Sequence, residues 1–199
     1  MFVGHDMHDY LGVHLVHGHV GLAADMVMVG TNIADLSACW NKPTKMADVD
    51  LTNIHGHIFK LVDDERFVAY EFEGGAVTNL SSCSADFFAE FTRYLLAEDL
   101  QDIIGLQIRG GSVDDMVEFD LTNHGTVMMR ERDAQHGAIL FTTGWVFHCH
   151  DGIVSYKGSE SHAKTTKGTH QVFTDGKIGR IGLDVACLRS ILKDNDIIN

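Results

Sequence analysis

The chain of 199 residues predicts an α+β fold: a mostly antiparallel sheet or partial barrel with two main amphipathic helices. Three observations carry this. The first half is a series of short segments rich in valine, methionine and isoleucine, separated by turn residues. Residues 84–100 repeat aromatic and leucine residues at helical spacing, and residues 182–198 do the same with aliphatic ones. The length fits one domain over residues 1–199.

In order, "VHLVHGHV" (13–20) and "MVMVGTN" (26–32) read as strands, and "NKPTKMADVDLTN" (41–53) as a polar connection. "IHGHIFKL" (54–61) and "RFVAYEFE" (66–73), joined by the acidic "VDDE" and closed by "GG", form the clearest hairpin. "SADFFAEFTRYLLAEDL" (84–100) places Phe87, Phe88, Phe91, Leu95 and Leu96 at intervals of three and four, with Ser84 as N-cap. That stripe is core rather than a ligand box. "IIGLQIR" (103–109) follows as a strand, and "VDDMVEF" (113–119) reads equally as strand or short helix. "HGTVMMRER" (124–132) and "GAILFTTGWVFHCH" (137–150) are strands. "GSESHAKTTKG" (158–168) is polar and loop-like, "THQVFT" suits a further strand, and 182–198 is the second helix.

The net charge of −13 steers neutral or cationic partners toward the chain and polyphosphates away from it. Without a basic stripe or a recognition motif, nucleic-acid binding is excluded. Cys39, Cys83, Cys149 and Cys187 are far apart and make neither a C-x-x-C site nor a disulfide framework. Cys39, beside Trp40, is expected to be buried rather than nucleophilic. The histidine-broken opening segment does not resemble a signal peptide, and no apolar run is long enough for a membrane span, so the expected location is cytoplasmic. Exposed edges of an antiparallel sheet leave room for a homodimer, and the sequence does not give the oligomeric state.

Histidine is the anomaly, with 13 residues. The His-x-His spacing occurs at His17/His19, His55/His57 and His148/His150. On a strand, residues two apart share a face, so each pair offers two imidazoles from one rigid element. Zinc takes three or four nitrogen, oxygen or sulfur ligands, and a catalytic zinc keeps one position open. The 55/57 pair gains carboxylates from its hairpin partner if the turn after Leu61 holds an odd number of residues. Then Val62 faces Arg66, His57 faces Glu71 and His55 faces Glu73, with β-carbons about 5 Å apart. An even turn would bring Tyr70 and Phe72 opposite the histidines instead. The odd turn is the expectation. His17, His19, His55 and His57 are therefore the candidate metal ligands, and Glu71 and Glu73 the candidate catalytic groups or fourth ligand. His14 falls on the opposite strand face from His17 and His19. His148 and His150 are expected at an exposed edge, His162 and His170 on the surface, and His124 in hydrogen bonds to nearby backbone.

The segments "VHGHV", "MVMVGTN", "NIHGHIFKL", "YEFEGG", "IIGLQ" and "HGTVMM", in this order over about residues 13 to 130, resemble small His-rich fungal zinc proteins of the cyclopenase type. The resemblance implies a zinc-dependent lyase or isomerase of quinolone alkaloid biosynthesis. Its reaction would be ring contraction of the benzodiazepinedione epoxide cyclopenin to viridicatin, with loss of methyl isocyanate. The substrate would then be a small neutral metabolite. Two other readings stay open: a non-catalytic His-rich metal-binding protein, and a metal-free, barrel-type isomerase with histidines as acids and bases.

Overall fold

The structure is a computed structural model. It describes residues 1–19, 22–33, 36–63, 65–75, 80, 84–109, 115–121, 125–133, 139–164, 189, 190 and 193. Ten strands occur among them: β1 (Leu11–Leu15), β2 (Met26–Ile33), β3 (Ala38–Lys45), β4 (Ile54–Leu61), β5 (Phe67–Gly74), β6 (Ile104–Ile108), β7 (Met116–Asp120), β8 (Thr126–Arg130), β9 (Ile139–His150) and β10 (Ile153–Lys164). They close into a barrel in the order β1-β6-β4-β5-β2-β3-β8-β7-β10-β9, with β9 pairing back onto β1. Every neighbouring pair is antiparallel except β2–β5 and β7–β10. The α-helix α1 (Ala85–Ala97) joins them, and the described residues 189, 190 and 193 are also helical. The fold is thus a closed β-barrel and not an α+β arrangement with two main helices. The expected second helix over 182–198, the strand at "THQVFT", and His124 and His170 lie outside the described residues, apart from positions 189, 190 and 193.

Two further expectations are corrected. The polar stretch 41–53 begins as part of β3, which pairs with β2 along its whole length. Pro43 is tolerated there because β3 pairs with β8 only through Ala38–Asn41, so the missing N–H falls beyond that ladder. The polar segment from 158 continues β10 as far as Lys164. Its alternation is real, but its inward face carries charge where hydropathy leads one to expect apolar residues.

The hydrophobic clusters lie on the outer face of the sheet. On β6, Leu106 and Ile108 pack with Leu11, Leu61, Phe87, Phe91 and Leu95, while Gln107 between them points the other way. On β7, Val117 and Phe119 pack with Trp40, Val127 and Met129, and Glu118 between them points away. α1 therefore covers the outside of the barrel through its aromatic stripe. Ser84 caps it, its Oγ accepting from the Asp86 N–H at 3.1 Å. Phe87 and Leu95 are fully buried, worth about 1.5–3 kcal/mol each in transfer free energy.

The inward face is polar. Gln107 on β6 bonds Glu160 on β10, although β1 and β9 stand between those strands in the ring. Side chains of strands that are not neighbours meet in this way across the lumen. Met28, Ile58 and Met128 add apolar lining, since they pair directly with inward-facing Glu71, Gln107 and Glu118.

Candidate metal centre

The lumen gathers five histidines and three glutamates from six parts of the chain. His14 comes from β1, and His17 and His19 from the segment after it. His57 is on β4, Glu71 on β5, Glu118 on β7, and Glu160 and His162 on β10. All eight side chains are largely buried.

Strand alternation separates His14 from His17 only while the strand lasts. β1 ends at Leu15, and the Val16 N–H donates to the Ile103 carbonyl at 2.8 Å as the chain leaves the sheet. Beyond that point the backbone bends into the barrel, and His14, His17 and His19 converge. This overturns the placement of His14 on the opposite side. Its ring centroid lies 5.3 Å from that of His17, which lies 4.7 Å from His19 and 4.5 Å from His162.

One backbone carbonyl orients two of these rings. The Leu15 oxygen accepts from His14 Nδ1 at 2.8 Å and from His17 Nδ1 at 3.1 Å. Both rings therefore carry a proton on Nδ1 and present Nε2 to the lumen, the orientation a metal-ligating histidine needs. Each Nε2 faces carboxylate oxygen: His14 lies 3.3 Å from Glu160 Oε1, and His17 lies 3.4 Å from Glu71 Oε1 and 3.9 Å from Glu118 Oε2. Neither nitrogen has a hydrogen bond, and neither do Glu118 Oε1 and Glu160 Oε1, all of them buried. Orphaned donors and acceptors at such depth cost free energy unless a ligand satisfies them.

The remaining contacts are close ion pairs. His19 Nε2 donates to Glu71 Oε1 at 2.9 Å, and His162 Nε2 lies 2.6 Å from Glu118 Oε2 and 3.6 Å from Glu160 Oε1. Burial works against charge on His19, yet the bond to Glu71 outweighs it and raises the pKa to about 9. Burial likewise opposes charge on His162, and Glu118 overrides it, raising the pKa to about 10. His14 is raised in the same manner by Glu160, whereas burial prevails at His17 and lowers it. Burial would raise both Glu118 and Glu160, but the facing imidazoles hold both well below the ordinary carboxylate value. Without an ion, His19 and His162 hold their protons at neutral pH against the facing carboxylates.

Three overlapping sets have ligand atoms mutually within 4.8 Å: His14/His17/His162, His17/His19/Glu118 and Glu118/Glu160/His162. These buried groups can hold a metal ion. A cavity of about 50 Å³ opens on the second set, lined by His17, His19, Glu118, Asp120, Thr126 and His162. A larger groove of about 710 Å³ runs between α1 and the β4–β5 turn, but it lies on the outer face, away from this chemistry.

No family model, curated protein or solved structure matches the chain.

The structure sorts the sequence candidates into two groups. The Val62 N–H donates to the Arg66 carbonyl, Leu61 pairs with Phe67, and His55 stands opposite Glu73, as an odd turn requires. A local irregularity then displaces His57, so that Ile58 and not His57 stands opposite Glu71. His55 Nε2 and His57 Nδ1 both face Glu73 Oε1, at 3.4 and 3.2 Å. Glu71 instead joins His17 and His19. The two candidate pairs are thus not brought to one point. Gln107 connects His57 to Glu160, its Nε2 donating to Glu160 Oε2 at 3.3 Å and lying 3.3 Å from His57 Nε2.

Glu118, Glu160, His162 and His14 were not among the candidates. His162, expected on the surface, is 3% exposed. The signal that could have found two of them is the E-x-H spacing of Glu160 and His162, which puts both on one strand face. Glu118, a lone carboxylate within "MVEF", is another. His148 and His150 lie on the β9–β10 hairpin, and His150 is exposed beside Asp151. Cys39 is half-buried, and burial pushes its thiol up to about 12, which removes it as a nucleophile at neutral pH.

Proposed function

We propose that the protein is a zinc-dependent enzyme, a lyase or isomerase acting on a small neutral metabolite at the lumen mouth. The supporting observation is the His17/His19/Glu118 set, three mutually close nitrogen and oxygen donors with a cavity beside them. Two histidines and a carboxylate, with a fourth position left for water or substrate, form a composition that suits catalytic zinc. When bound, the ion supplies Lewis acidity toward a substrate oxygen. Glu71, 2.9 Å from His19, and His162, 2.6 Å from Glu118, are the groups placed to hold or move a proton next to it. A cavity of about 50 Å³ admits the reactive end of a substrate and not the whole of a drug-sized one. Cyclopenin, the substrate implied by the segment resemblance, is the compound to assay first.

The test is metal analysis after exhaustive dialysis, beside turnover with and without chelator, on the wild type and His19→Ala. Retained zinc in the wild type, less zinc in His19→Ala and loss of turnover with chelator are expected. A wild type that holds no zinc overturns the reading, and so does His19→Ala that holds as much as the wild type. If zinc stays bound yet its removal changes no reaction tested, the chain is a metal-binding protein without catalysis.

A further inference from the structure

The His17/His19/Glu118 set uses less than half of the ligating groups in the lumen. On its far side stand Glu160, His162 and His14. Glu160 is 2% exposed; its Oε2 accepts from Gln107, while its Oε1 lies 3.3 Å from His14 Nε2 with no hydrogen bond. His14 is fully buried and held by the Leu15 carbonyl so that Nε2 points at that oxygen. A carboxylate oxygen and an imidazole nitrogen face one another at a distance that a shared cation satisfies. Glu118 belongs both to the set with His17 and His19 and to the set with Glu160 and His162. Its Oε2 faces His162 and His17, and its Oε1 has no hydrogen bond.

We propose that the lumen is a dinuclear site for divalent cations. One ion sits on His17, His19 and Glu118, the second on Glu160, His162 and His14, with Glu118 bridging them through its two oxygens. This rests on the reading of the first set given above. Glu71, Glu118 and Glu160 bring three carboxylates into the buried lumen, and two divalent ions with one bridging hydroxide would match them in charge with no proton left on any facing histidine. Ions about 3.5–4 Å apart, the spacing a bridging carboxylate imposes, hold a substrate through two oxygens at once.

The experiment counts ions. The full chain is stripped with chelator, loaded with zinc, and examined by native mass spectrometry beside elemental analysis, as wild type, Glu160→Gln and His19→Ala. A parallel set loaded with manganese is read by electron paramagnetic resonance. Two zinc ions in the wild type are expected, with one remaining in each variant. The manganese signal should be that of a coupled pair in the wild type and of an isolated ion in Glu160→Gln. One ion in the wild type, unchanged in Glu160→Gln, overturns the second site and leaves the first standing. No ion in the wild type overturns both. Two ions retained in Glu160→Gln also overturn the assignment. Should a variant not fold, the wild-type count and its manganese spectrum decide alone.

Discussion

Replacing Glu118 with glutamine keeps the shape of the side chain and removes its charge, which makes it the sharpest probe of the lumen electrostatics. In the metal-stripped protein His162 Nε2 lies 2.6 Å from Glu118 Oε2, and both side chains are 4% exposed. With its pKa held at about 10, His162 is charged at neutral pH, and discharging it at pH 7 costs about 4 kcal/mol. Breaking a buried ion pair by removing one partner costs a similar 3–5 kcal/mol or so. Glu160, 3.6 Å from the same nitrogen, retains part of the attraction, so the expected loss for Glu118→Gln is about 2–4 kcal/mol. The sign with pH is fixed by the raised pKa. The stabilisation is fully present below 6.5 and is lost as pH rises through about 10, so the gap between wild type and variant must narrow over that range. Urea denaturation in the presence of chelator, at about pH 6, 8 and 10, measures it. A loss under about 1 kcal/mol at the lowest pH, or a gap that widens as pH rises, would refute the charged pairing.

Other consequences can be checked with equal directness. Metal-stripped protein should be most stable between about pH 4.5 and 6.5: His19 and His162 lose their contribution as pH rises through about 9 and 10, and Glu118 and Glu160 lose theirs as pH falls below the ordinary carboxylate value of 4.5. Zinc reverses the alkaline limb, because its ligands must shed protons, so zinc-loaded protein should gain stability from neutral to mildly alkaline pH where stripped protein loses it. Parallel melting curves showing the same slope for both forms would contradict this. Gly144→Ala should destabilise by about 1–3 kcal/mol in thermal melts and weaken zinc retention. Its β-carbon would stand 2.8 Å from Ser159 Oγ and 3.0 Å from Gln107 Oε1, where the Ser159 hydroxyl now donates to that amide oxygen. A fully stable Gly144→Ala would show that Gln107 is not held as described. Mass-mapped alkylation near pH 8 should label exposed Cys149 well before Cys39, and equal rates would dispose of the raised Cys39 pKa.

Much of the strand content could be read from the chain, because β2, β4, β5, β6 and β9 obey the ordinary signals of β-branched, aromatic and aliphatic residues between turns. The helix was readable for the same reason: Ser84, Phe87, Phe91 and Leu95 state its cap and its buried stripe directly. What failed was the assumption that a barrel buries oil. β10 carries Glu160 and His162 toward the lumen, so hydropathy scores its core-facing residues as surface. β3 was hidden by Lys42, Pro43 and Lys45. The site itself was half legible. Spacing identified His17 and His19, and turn parity placed His55 opposite Glu73. It could not show that β1 stops at Leu15, nor that β7 and β10 would deliver Glu118 and Glu160 from more than a hundred residues away. Contacts across a lumen are set by ring order, and ring order is a property of the whole sheet.

The two hydrogen bonds that His14 and His17 donate to the Leu15 carbonyl have an evolutionary side. Histidine ligands are aimed by a carboxylate, a backbone carbonyl or a water, and a single base change can remove a carboxylate support. Here the support is a peptide oxygen, present whatever residue occupies position 15. A substitution at Leu15 can alter packing while both imidazoles keep their aim. An inserted or deleted residue between Leu11 and Leu15 is another matter, since it would shift the carbonyl and misdirect both rings together. Position 15 should therefore vary in letter, while Gly12, which has no room for a β-carbon, and His14 stay fixed and the length of the segment is strictly limited.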